Sequence, residues 1–173
     1  MTTWLMRIVI ALVVIAAVVS LVGYSLPKSH TASRTAHFSQ PPERVWATIT
    51  DFTAYPGWRK DVQSVELLPE QDGKPAWRET SHRANKLTFA AETWDPPRHL
   101  VARIIDKDLP FGGSWDYVVS PAGSGSSITI TENGEVYNPV FRVVSRVMGY
   151  TATMDSYLSA LAARLGDRYT PPG

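Results

Sequence analysis

The sequence predicts an α+β fold in which a curved antiparallel sheet of six to seven strands wraps around a long C-terminal helix, preceded by an N-terminal transmembrane helix. Three observations predict it. The stretch Asn138–Arg168 carries apolar residues at helical spacing (Val140, Val144, Val147, Met154, Leu158, Leu161 and Leu165), which draws one apolar stripe along a helix. Upstream of it, short segments of alternating polarity follow one another across tight turns, the signature of an antiparallel meander. Ahead of both, Ile8–Leu26 is uncharged.

The front segment comes first in the chain. As a helix its nineteen residues extend roughly 28 Å, close to the hydrocarbon thickness of a bilayer. Trp4 and Tyr24 stand where interfacial aromatics are favoured. An uncleaved membrane anchor competes with a cleaved signal peptide, for which Val18-Val19-Ser20 offers a weak site. The apolar run exceeds the usual ~7–15 residues of a signal peptide, which favours the anchor. Arg7 precedes the span and Lys28 and Arg34 follow it, so charge leaves the orientation open. The expected organisation is an anchor over 1–27, a polar linker over 28–33, one domain over 34–168 and a tail over 169–173.

Thr35–Ser39 alternates and reads as a first strand. Pro41-Pro42-Glu43 opens a helix with proline and an acid in the first turn, and Val45, Ile49 and Phe52 form its buried side. Tyr55-Pro56-Gly57 breaks that helix. Strands are then expected over Val62–Leu68, Ala76–His82, Leu87–Trp94, His99–Asp106, Gly113–Ser120 and Ser126–Tyr137. The loop Lys107–Gly112 lies before the fifth strand of this series, and a Gly/Ser-rich turn before the sixth. Asn138-Pro139 then starts the terminal helix, with Asn138 as its cap. Gly149 is expected to bend that helix without ending it.

Composition excludes several functions. The 17 basic and 16 acidic residues supply no basic face for nucleic acid. With no cysteine, disulfides and thiol chemistry are absent. His30, His37, His82 and His99 are scattered without metal-ligand spacing, so neither a metal nor another cofactor is expected. No serine sits in a Gly-x-Ser-x-Gly turn.

The opening FSQPPERVWATITDFTAYPGW resembles the Pro-Pro-Glu-x-Val-Trp…Asp…Tyr-Pro-x-Trp start of START-like helix-grip proteins. The matching part of that superfamily is the polyketide cyclase/dehydrase and lipid-transport type (SRPBCC), which shares its fold with the birch-pollen allergen. The run DLPFGGSWDY…GSSITITENGEVYNPVFRVVSRVMG is similar to one branch of it. The resemblance covers about residues 33–168, with Gln40 standing where Ala is more usual. It implies a deep cavity between sheet and C-terminal helix, and a hydrophobic small molecule or lipid as partner.

Strand parity nominates the site residues. Ile128, Ile130 and Val136 share a face that also carries Glu132, and Trp77 shares a face with Glu79. Two carboxylates facing an apolar pocket can act as general acid and base. They can equally orient a ligand, or be held by structural arginines, with Arg142 and Arg103 available. Trp58, Trp77, Phe89, Phe111, Trp115 and Tyr117 are the aromatic candidates for a cavity wall. Phe111 lies on the loop Lys107–Gly112, which with Gly112-Gly113 has the flexibility of a gate. Ala91 shares a face with Leu87 and Phe89 and is small among large neighbours, which leaves room beside it. The leading expectation is membrane-anchored binding or transport of a hydrophobic small molecule or lipid. A cyclase- or dehydratase-type enzyme with Glu79 and Glu132 as acid and base is the alternative, and a non-ligand role such as an assembly factor is a third.

Overall fold

Alternating polarity becomes a sheet because one face of each strand has something to bury against. The computed structural model describes residues 2–172. The chain forms helix α1 (Thr2–Ser25), strand β1 (Ser29–Phe38), helix α2 (Pro42–Thr50) and a 3-10 turn at Phe52–Gly57. Strands β2 (Val62–Gln71), β3 (Lys74–Ser81), β4 (Lys86–Asp95), β5 (His99–Ile104), β6 (Phe111–Ala122) and β7 (Gly125–Val136) follow, and then helices α3 (Pro139–Met148) and α4 (Ala152–Leu165). The strands make one seven-stranded antiparallel sheet in the order β1-β7-β6-β5-β4-β3-β2. The last strand therefore pairs with the first, along Ser29↔Glu135 to Phe38↔Ser126.

The sheet curls around α4. Met154, Leu158, Leu161 and Ala162 are fully buried, and they meet Ile128 and Ile130 of β7 and Val119 of β6 in one core. Val45 and Ile49 of α2 complete that core with no exposure of their own. Phe52 of the 3-10 turn joins them and stacks on Trp77 of β3 at 3.8 Å.

Three local expectations differ from the structure. Residues 29–33, read as linker from their polarity, form the first half of β1. They pair with the far end of β7, and such an edge strand needs backbone partners more than apolar side chains. The terminal helix is two helices. Gly149 ends α3 in a conformation (φ 80°, ψ 163°) outside the helical region, which glycine adopts without steric cost. The apolar stripe divides with it. Met154, Leu158 and Leu161 enter the core, whereas Val140, Val144 and Val147 are exposed, Val147 by 83%. Periodicity reveals that a face needs covering and not what covers it. Asn138 does cap α3, its side-chain oxygen accepting from the backbone N–H groups of Val140 and Phe141 at 2.9 and 3.2 Å.

Helix α1 is long and apolar enough to cross a membrane, and a signal sequence has the same character. Its last turns pack on α3. Gly23 is buried there because α3 approaches so closely that a Cβ would collide with the Pro139 carbonyl.

Candidate functional site

Between the concave face of the sheet and the α3–α4 segment lies a cavity of about 1080 Å³. Its walls are apolar: Leu87 and Phe89 of β4, Leu100, Ala102 and Ile104 of β5, Tyr117 of β6, and Phe141 and Val144 of α3 all face it. The strands contribute alternate residues, so Leu100, Ala102 and Ile104 line the space while Arg103 pairs with Glu92 away from it.

Two polar clusters are set into this wall. In the first, Arg59 follows the 3-10 turn and reaches across to β3. Its Nη1 donates to Glu79 Oε1 at 3.1 Å and lies 3.0 Å from Oε2, while the Trp77 indole donates to the same carboxylate at 3.1 Å. Arg59 Nη2 also donates to Asp61 at 2.7 Å. The guanidinium lies 4.8 Å from the Tyr55 ring and 5.4 Å from that of Tyr157, within range of cation–π attraction. Burial opposes the guanidinium charge, but Glu79 and Asp61 outweigh it and hold Arg59 protonated well above its ordinary range. Burial likewise pushes the hydroxyls of Tyr55, Tyr117 and Tyr157 up, and all three stay neutral.

In the second cluster, Glu132 of β7 accepts from the Trp115 indole at 3.1 Å, and His30 of β1 lies 3.1 Å from its other oxygen. The His30 ring stacks on Tyr150 with centroids 3.7 Å apart. Tyr150 sits in the break between α3 and α4, so this contact ties the helix junction to the sheet edge.

Both candidate carboxylates, Glu79 and Glu132, thus face the cavity, and each is held. Their partners are not the ones expected. Arg103 is on the opposite face. Arg142 is turned toward the ends of α1 and β7, donating to the carbonyls of Val136, Tyr137, Gly23 and Leu26 at 2.8, 2.8, 3.0 and 3.4 Å. Trp77, Phe89, Phe111, Trp115 and Tyr117 line the cavity. Phe111 stands at its rim, 40% exposed.

Trp58 and Ala91 do not line it. Trp58 packs edge-on against Tyr55 and Tyr157 at 5.3 and 5.4 Å, behind the cavity floor. Ala91 lies in the main core, 5% exposed, where its small size is matched by Ala102 directly across the β4–β5 ladder. Small residues facing each other close a gap that a single strand's pattern cannot reveal. Sequence reasoning passed over Arg59, His30, Tyr55 and Phe141. Arg59 had a signal: an inward Glu79 requires a cation, and the segment after Tyr-Pro-Gly-Trp supplies one.

Residues 29–166 match the family model described as polyketide cyclase / dehydrase and lipid transport. The chain belongs to this family. Among solved structures it is similar to a START superfamily protein from Mycobacterium smegmatis, at 20% identity and a TM-score of 0.67, covering 79% of this chain and 97% of that one. It is also similar to the Zhui aromatase/cyclase from Streptomyces sp. R1128, at 14% identity, a TM-score of 0.63 and coverage of 80% and 94%. Norcoclaurine synthase from Thalictrum flavum aligns at 13% identity, a TM-score of 0.62 and coverage of 79% and 94%. At these identities the likeness is one of fold. A search of curated proteins finds no match to the chain.

Proposed function

We propose that this protein binds or transports a hydrophobic small molecule or lipid in the cavity between its sheet and its C-terminal helices, held beside a membrane by α1. The observation that carries the reading is the cavity: about 1080 Å³ walled largely by aliphatic and aromatic side chains, with two hydrogen-bonded polar clusters set into that wall. Ligand sites have this composition, a mostly apolar lining with a few placed polar groups that fix orientation. Here the Arg59–Glu79–Trp77 and His30–Glu132–Trp115 clusters are the groups available to hold a ligand's polar end. An apolar ligand partitions into the bilayer, and an anchored domain samples that pool directly.

The alternative is a cyclase- or dehydratase-type enzyme acting on an apolar substrate, with Glu79 and Glu132 as acid and base. The likeness to an aromatase/cyclase favours it. Against it, each carboxylate already accepts hydrogen bonds within its cluster, the arrangement of a stabilised charge more than of a free base.

The deciding experiment is extraction of the full-length protein from membranes, followed by mass spectrometry of whatever small molecule co-purifies. Titration with the apolar fluorophore N-phenyl-1-naphthylamine follows, with the co-purified molecule as competitor. A stoichiometric apolar molecule that displaces the fluorophore is expected. No uptake of fluorophore by delipidated protein would refute a binding cavity. Turnover of the bound molecule, abolished by Glu79→Gln and Glu132→Gln with binding retained, would establish the enzyme instead. Release of the full-length protein by carbonate, or a mature N-terminus after Ser20, would remove the anchor.

A further inference from the structure

Helix α3 is amphipathic, yet its apolar face is only partly covered by the described residues. Val140, Phe141, Val144 and Val147 are exposed by 42, 53, 44 and 83%. Phe111 and Tyr137, exposed by 40 and 47%, stand at the same end of the sheet, where Phe111 pairs with Val136. Removing such surface from water is favourable, and contiguous exposed apolar surface marks an interaction site. A cluster of this kind at one end of a domain calls for a partner.

The identity of that partner follows from where α3 is fastened. Arg142, on the opposite side of α3 and only 5% exposed, donates to the carbonyls of Gly23 and Leu26 at the C-terminal end of α1. Those are groups a helix end leaves unsatisfied, and a cation there also complements the helix dipole. The same guanidinium bonds the carbonyls of Val136 and Tyr137, so one side chain locks α1, β7 and α3 together. Val19 and Ser20 are half-buried and Gly23 is buried, whereas residues 3–18 of α1 are exposed. From Val19 to Leu26, α1 advances about 10 Å. These residues belong to the uncharged run that extends to Leu26. If that run lies in a bilayer, α3 lies beside its last two turns, at the depth where interfacial helices sink about 5–10 Å.

We infer that α3 is an interfacial membrane helix: its Val140–Phe141–Val144–Val147 face rests among the acyl chains of the bilayer that α1 crosses, with Arg146 at the headgroups. The inference builds on the reading of α1 as a span. Phe141 and Val144 also line the cavity, so the lipid-facing side of α3 is continuous with the cavity lining. A ligand then passes between bilayer and cavity around α3 without crossing water.

The chain has no cysteine, which makes single-label mapping direct. The variants are Val144→Cys, Val147→Cys, Leu12→Cys in the span, and Ser124→Cys in the turn between β6 and β7. Ser124 is exposed and lies one length of β7 from α3, roughly 36 Å away at strand rise. Each full-length variant is labelled with bimane, reconstituted into phosphatidylcholine vesicles, and quenched with aqueous iodide or with chain-brominated phosphatidylcholine. Labels at 144 and 147 are expected to be quenched by the brominated lipid, and by iodide roughly fivefold less than the label at 124. Iodide quenching at 144 and 147 equal to that at 124, with the label at 12 quenched by brominated lipid, would overturn the docking and leave the span standing. Iodide access at 12 would instead remove the span, and the docking with it. Protection of 144 and 147 from both quenchers would mean that protein covers this face, and would also overturn the proposal.

Discussion

Removing Arg59 is the sharpest test of how the cavity floor is built. Its side chain is 13% exposed and that of Glu79 is 11%, with nitrogen and oxygen 3.0 Å apart. Arg59→Met removes the cation and leaves the Glu79 carboxylate buried, with only the Trp77 indole donating to it. Breaking a buried pair from one side costs about 3–5 kcal/mol, because the surviving charge has lost both water and partner. For a domain of this size that is a fall in Tm of roughly 6–20 °C. Glu79→Gln is milder: the amide oxygen still accepts from Trp77, and Arg59 keeps Asp61, which is largely in solvent. The expected cost is about 1–3 kcal/mol. The double variant Arg59→Met/Glu79→Gln removes both charges together and is expected to cost about 2 kcal/mol less than the sum of the two single variants, since no buried charge is left without its partner. The assay is urea unfolding of the detergent-solubilised full chain followed by tryptophan fluorescence, with the coupling energy taken from the cycle. If the single costs simply add in the double variant, the pair is solvated and the floor is not the dry polar cluster described here.

Three further outcomes follow from the same geometry. Ile104 of β5 lines the cavity and is half-buried, whereas Ala91 is enclosed in the packed core. Ile104→Phe is therefore expected to change stability by less than about 1 kcal/mol while reducing uptake of N-phenyl-1-naphthylamine, whereas Ala91→Trp costs about 1–3 kcal/mol through overpacking. Equal destabilisation by both, read in the same urea titrations, would mean there is no open space beside β5. Burial raises Tyr55, Tyr117 and Tyr157 in the folded state, so their contribution to stability is complete below the unfolded value near 10 and is lost as pH rises above it. Tyrosine absorbance should show these three ionising only with alkaline unfolding; a smooth titration of all seven tyrosines near pH 10 in folded protein would contradict their burial. Tyr169, whose hydroxyl donates to Asp155 at 2.7 Å, is pushed up to about 12 by desolvation and that carboxylate. Tyr169→Phe is expected to remove one late-titrating group from the same curve without altering the fold.

The alternation of β3 to β7, the Asn138 cap and the uncharged length of α1 were legible in the chain because each is a local property, set by neighbours two to four residues apart or by a run of like residues. From these follow the α+β class, the succession of strands along the chain, and the inward aim of Glu79 and Glu132. Tertiary structure alone decided what those inward groups meet. Arg59 reaches Glu79 over a separation of twenty residues and His30 reaches Glu132 over 102, and neither separation leaves a periodic trace. It also decided the fate of the terminal stripe: the same apolar spacing is core in α4 and surface in α3. A period states only that one side of a helix prefers to leave water. Whether that side enters the core or stays outside it depends on the path of the chain at Gly149 and on the Arg142 clasp that draws α3 to α1.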